Sequence, residues 1–161
     1  MQKIMMLLLL CLLLPYPAVA APPTVEAPQA CQKCRMDRTT FAHSRMLLEY
    51  ADNSFVGLCS LHCVAEELVQ HPEKSVKSLK VADYQTKELI DAKTAVWVIG
   101  GSKKGVMTFV PKWAFSTNEE AQVFVKENGG EVTTFDAALK SAKEELTGEG
   151  AMQGHGKHGN H

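Results

Sequence analysis

The sequence predicts an α+β fold: two β-hairpin-plus-helix modules in one compact domain, with a treble-clef-like cysteine knuckle in the first. Three observations predict it. Apolar residues switch twice from short β-type runs to the i, i+3, i+4 spacing of an amphipathic helix. The phrase Gly57-Leu58-Cys59-Ser60, followed by a helix and a strand, is echoed by Trp113-Ala114-Phe115-Ser116, again followed by a helix and a strand. Finally, Cys31 and Cys34 precede the first hairpin while Cys59 and Cys63 follow it, so hairpin closure carries one pair toward the other.

The elements follow in order. Lys3, the apolar run Met5–Leu14 and the small-residue site Ala18-Val19-Ala20 read as an export signal over 1–20, with the mature chain starting near Ala21. The run is too short to span a bilayer comfortably, although a retained anchor is the alternative. Cys11 leaves with the signal, and Leu10 before it is too bulky for a lipid-attachment site. Residues 21–30 hold three prolines and little to bury, so they read as a linker. Residues 31–147 form the folded domain, and 148–161 a flexible His/Gly tail. No segment beyond the signal is apolar enough to span a membrane.

Within the domain, Arg45–Ala51 reads as a strand, Asp52-Asn53 as a turn and Phe55–Leu58 as the returning strand. Ser60 is placed to cap a helix with Leu61, Val64, Ala65, Leu68 and Val69 on one face, ended by Pro72. Val76–Tyr84 reads as a strand. Thr94–Ile99 is a strong β run, with a hairpin tip at Gly100-Gly101-Ser102 and further β candidates at Val106–Val110 and around Trp113. Ser116–Asn118 opens a helix packing through Ala121, Phe124 and Val125 and closed by Gly129-Gly130. Val132–Phe135 is a short strand, and Asp136 caps a last helix carrying Leu139, Ala142 and Leu146.

Charge and motifs narrow the function. A net charge of -1 with both signs scattered lacks the basic stripe a nucleic-acid binder needs. No paired carboxylates, phosphate-binding glycine loop or Ser/His/Asp set stands out, so the chain does not read as an enzyme. The chemistry lies in the first module, which has cysteines where the second has apolar residues. Cys31-x2-Cys34-x-Met36 and Cys59-x3-Cys63 converge on paper into a metal knuckle. Cys63 falls three residues after the Ser60 cap, where backbone N–H groups and the helix dipole favour thiolate, the metal-binding form. Four thiolates suit zinc. The soft thioether of Met36 tilts the set toward copper(I). We take Cys34 and Met36 as the core of the site, joined by Cys59 and Cys63, with Cys31, His62 and Met107 as further donors.

Other readings of the same residues stand beside this one. In an oxidising compartment the four mature cysteines can pair as two disulfides. They can also form a purely structural zinc-knuckle interaction module or a thiol-disulfide redox protein, though Cys-x2-Cys here lacks the strand-to-helix context of a thioredoxin. Met36 and Met107 can be core filler, for which methionine is well suited. His43 and His71 are isolated. In the tail, His155, His158 and His161 recur every third residue below Met152, a spacing that captures copper or nickel loosely.

Cys34-Arg35-Met36, Phe41, Leu58-Cys59-Ser60-x2-Cys63, Val81-Ala82-Asp83-Tyr84-Gln85-Thr86, Ile90-Asp91-Ala92, Val96-x2-Ile99-Gly100-Gly101, Ala114-Phe115-Ser116 and Gly129-Gly130 carry a resemblance. In this order and spacing the chain resembles the NosL-type accessory proteins of nitrous oxide reductase over nearly all of residues 31–136. The resemblance implies a periplasmic copper(I) chaperone, not an enzyme, that serves assembly of the reductase's copper centre. Its partner is then a copper-accepting metalloenzyme or its assembly machinery, and its Cys-x-Met motif maps onto Cys34 and Met36. The chain departs from the family pattern in three places. It has a plain signal in place of a lipid-attachment signal, Arg35 where glycine is common, and Met107 without its usual proline and glycine neighbours. These departures leave the metal-handling role and open the choice of recipient.

Overall fold

The structure is a computed structural model and describes residues 25–148. The signal, the start of the linker and the His/Gly tail from 149 on lie outside the described residues. Among the described residues, seven strands and three helices run β1 (Met46–Tyr50), β2 (Phe55–Leu58), α1 (Leu61–Gln70), β3 (Val76–Ala82), β4 (Leu89–Asp91), β5 (Val96–Ile99), β6 (Lys112–Phe115), α2 (Asn118–Asn128), β7 (Glu131–Thr133) and α3 (Phe135–Thr147). Among the described residues no helix is long and apolar enough to cross a membrane.

Two antiparallel sheets result, one ordered β2-β1-β3-β4 and the other β6-β5-β7. The echo read in the sequence is therefore topological. In each module the first hairpin strand lies in the centre, its hairpin partner on one side and the strand after the helix on the other. Phe115, fully buried, stands where the first module has the equally buried Cys59. The modules are stitched together at the end of β3. The Tyr84 N–H donates to the Ala114 carbonyl at 2.8 Å. The buried Asp83 carboxylate accepts from the N–H and hydroxyl of Ser116 with one oxygen, and from the Gln85 and Thr86 N–H groups and the Thr86 hydroxyl with the other. Helix α3 packs back on α1.

Several expectations are corrected. The β5–β6 connection is not a tight hairpin, because Ile99 pairs with Lys112 and twelve residues intervene. Val106–Val110 is not a strand. Its middle is taken out of β geometry by Met107 at φ 57 and by the α3 residue Glu145, whose carboxylate accepts from the Thr108 hydroxyl and the Phe109 N–H and pairs with the buried Lys112. Val69 is 56% exposed and lies off the packed face of α1. Thr117 caps α2 in a complete capping box with Glu120, and Thr134, not Asp136, caps α3. Ser60 occupies the α1 N-cap position but its hydroxyl makes no capping bond.

Residues 26–30, read as linker, are docked against the body. Arg38, fully buried, donates to the Glu26, Pro28, Leu58 and Met46 carbonyls and pairs with the Glu26 carboxylate, which Arg45 also holds. A guanidinium has five donors and cannot shed its charge, so it can be buried only where a fork of acceptors meets it. Here that fork ties the segment before the knuckle to β1 and β2. Gly57 makes room for it: a Cβ there would lie 2.6 Å from Pro28 Cδ and 2.8 Å from Arg38 Nη1.

Candidate metal centre

The site is built from two local structures. The first is a tight knuckle over residues 30–37. Its ends are bridged at Ala30 and Asp37, the Cys31 N–H donates to the Met36 carbonyl at 2.8 Å, and the Arg35 N–H donates to the Cys31 carbonyl at 2.9 Å. Such a turn needs one residue in the left-handed region, and Arg35 takes it at φ 67. Glycine would do so without the Cβ clash that costs an L-residue about 1 kcal/mol.

The second structure is the β2–α1 junction, with Cys59 just after the strand and Cys63 in the first turn of the helix. Two ties hold the knuckle to it. The Gln32 N–H donates to the Gly57 carbonyl at 3.0 Å, and the Gln32 side chain accepts from the Gly57 N–H at 2.7 Å. Lys33 pairs at 2.8 Å with Glu67 of α1, which is itself buried and held by the Tyr50 hydroxyl.

The result is a cluster in which the sulfurs of Cys31, Cys34, Cys59 and Cys63 all lie within 4.8 Å of one another. Cys34 and Cys59 are 3.4 Å apart, and Cys59 and Cys63 are 3.7 Å apart. A tetrahedral ion with metal–sulfur bonds of about 2.3 Å needs sulfurs about 3.8 Å apart. The four are thiols rather than two disulfides, since a bonded pair would be about 2.05 Å apart. Cys31, Cys59 and Cys63 are fully buried, and Cys34 alone is partly open.

The electrostatics correct one sequence expectation. Thiol donors from Cys59 and Cys63 drive the Cys31 pKa far below the usual thiol range, against burial and with help from the Cys34 and Lys33 backbone N–H groups. The same contacts to Cys31 push the pKa of Cys63 and of Cys59 up. The surroundings thus favour the charged form at Cys31 and disfavour it at Cys63, although Cys63 stands at a helix start.

The remaining predicted donors are placed less centrally. Met36 is half-buried and packs against the core that contains the cysteines, and its carbonyl closes the knuckle. His62 lies in the first turn of α1, outside the four-sulfur group, with a buried Nδ1 that has no hydrogen-bond partner. Met107 is 43% exposed in the β5–β6 loop. Sequence reasoning set Cys31 among the outer donors, and the geometry places its sulfur within the same four-sulfur group as Cys34, Cys59 and Cys63. It also missed Arg38 and the Lys33–Glu67–Tyr50 chain. A basic residue four positions after Cys34 was the one available signal for the first, and nothing in the sequence marks the second.

A two-sheet α+β domain whose knuckle and helix start converge four thiols defines a class: proteins with a cysteine cluster suited to a metal ion. The chain belongs to the NosL family, whose model matches residues 22–142. Among solved structures it is similar to the copper chaperone NosL from Shewanella denitrificans. The TM-score is 0.57 at 22% identity, covering 72% of this chain and 93% of that one, a likeness of fold. No curated protein matches the chain.

Proposed function

We propose that this protein carries copper(I), its cargo, in the four-cysteine cluster and acts by binding and release rather than catalysis. The observation that carries the reading is the convergence of four sulfurs within 4.8 Å, three sealed and one, Cys34, at the open edge. Thiolates select soft ions, and a cluster with a single accessible sulfur lets an incoming ligand from a partner attack there while the buried sulfurs still hold the metal. Cys34, Cys59, Cys63 and Cys31 are the proposed ligands, with the Met36 thioether beside them. His62 and Met107 are outlying donors. Family membership and the copper chaperone of like fold support the cargo. In the full reading the protein is exported to the periplasm by the segment 1–20 and supplies a metalloenzyme or its assembly machinery, nitrous oxide reductase being the recipient the family favours.

One observation favours a second reading. The 3.4 and 3.7 Å sulfur spacings are near those of a closed tetrathiolate zinc site. Anaerobic titration of the reduced protein against competing chelators separates the two. Stoichiometric copper(I) binding that displaces zinc supports the carrier. Tight zinc that copper(I) does not displace makes the knuckle structural.

A further inference from the structure

The openness of Cys34, which the carrier reading uses for metal transfer, has a second chemical consequence. It is the one cysteine of the four that is not fully buried, and its sulfur lies 3.4 Å from that of Cys59. Closing that gap to a disulfide takes about 1.4 Å of approach. Cys31 and Cys63, meanwhile, are fully buried, with their sulfurs within 4.8 Å of each other. Cys34, at the open edge, thus pairs by proximity with the buried Cys59, and Cys31 and Cys63 remain as a second, fully buried pair.

We propose that the reduced cluster is also a two-electron reductant for cupric ions, and that its oxidised form is a copper(I)-selective site. This rests on the carrier reading above. Two copper(II) ions each accept one electron. The S–H bonds of Cys34 and Cys59 break, one S–S bond forms, and two protons leave to water. Two copper(I) ions result, of which the Cys31/Cys63 pair retains one while the other is released to any competing ligand. Entry is at Cys34, because attack on a metal or on sulfur follows access as well as thiolate character.

Selectivity follows from coordination number. Structural zinc takes four protein ligands. With Cys34 and Cys59 joined, two thiolates remain, enough for a soft monovalent ion and too few for a zinc cage. The four-thiol form accepts either metal; the oxidised form discriminates between them.

The test offers copper(II) in steps to the reduced, metal-free full chain under argon, with a copper(I) chelator present. Linkages are then mapped by alkylation and peptide mass spectrometry, a readout indifferent to any cupric ion held by the tail histidines. The expected result is one Cys34–Cys59 disulfide per two copper(I) ions produced, with Cys31 and Cys63 free. The oxidised protein should retain copper(I) and bind zinc about 100-fold more weakly or worse. Cys34→Ser should slow copper(I) production by about ten-fold or more, with circular dichroism confirming the fold. A first disulfide at Cys31–Cys34 or Cys59–Cys63, no disulfide at all, or an unchanged rate in Cys34→Ser overturns the inference. Direct copper(I) titration of the reduced protein separates the layers: binding there with no such disulfide defeats this inference alone, and no binding there defeats the carrier reading as well.

Discussion

At the scale of single residues, the knuckle shows how little of a metal site lies in its ligands. Arg35 holds the left-handed position that closes the turn, at φ 67. Arg35→Gly should therefore raise the stability of the metal-free protein by about 0.5 kcal/mol, the relieved Cβ clash less the added chain entropy of glycine. Thermal melting would show it, and a lower midpoint would contradict it. Met36 tests the other side of the site. Met36→Leu keeps volume and should cost less than about 1.5 kcal/mol of stability, yet weaken copper(I) binding because leucine offers no lone pair. Unchanged affinity in a chelator competition would remove Met36 from the ligand set. The cysteines themselves were readable because Cys-x2-Cys and Cys-x3-Cys flank a hairpin. Their difference in burial was not, because it depends on which of them the fold seals and which it leaves at the edge, a property of three-dimensional contact.

At the scale of elements, the first module was the more legible. Its strand alternation, its turn and its helix stop at Pro72 are all local signals. The second module's long connection was not, for a reason that can be named. Val106-Met107-Thr108-Phe109-Val110 has a strand-former's composition, but Glu145, 36 residues beyond Phe109, takes the Phe109 N–H and the Thr108 hydroxyl. Long-range hydrogen bonds to a buried ion pair override local β propensity. Lys112 is 7% exposed, and burial pushes its pKa down while the Glu145 carboxylate pulls it back up. Glu145→Gln should thus strand a buried ammonium and cost about 3 kcal/mol, measured as a shift of the urea midpoint. A cost within error of zero would show that the loop does not depend on this pair. Similarly, Asp136 looked like the cap of α3 because acidic residues suit both the cap and the first turn, and Thr134 filled the cap instead.

At the scale of the whole molecule, the repeat written weakly in the sequence became a shared sheet order, and one carboxylate joins its two halves. Burial works to raise the Asp83 pKa, but the donors from Thr86 and Ser116 more than offset it and leave it below the usual aspartate range. The sign then follows. A depressed folded-state pKa gives stability that is fully present above the unfolded value of about 3.9 and lost as pH falls through the folded value. Stability should therefore be flat near neutrality in this respect and decline below about pH 4. Asp83→Asn should lower the urea midpoint at pH 7 by an amount equivalent to about 2 kcal/mol and flatten the acid limb. Parallel curves for the two proteins across that range would contradict the assignment. The docking of residues 26–30 was the largest whole-molecule feature the sequence hid. Its proline content signals a linker, and only the buried Arg38, with its acceptors spread from Glu26 to Leu58, reveals that the segment is structural.

The central claim, that the four-cysteine cluster holds copper(I), is tested most directly by copper K-edge X-ray absorption on the reduced protein loaded with one equivalent of copper(I). The account predicts a first coordination shell of sulfur alone, abolished when Cys31 and Cys59 are both replaced by serine. A shell containing imidazole nitrogen, or one that survives that double replacement, would place the copper elsewhere and contradict it.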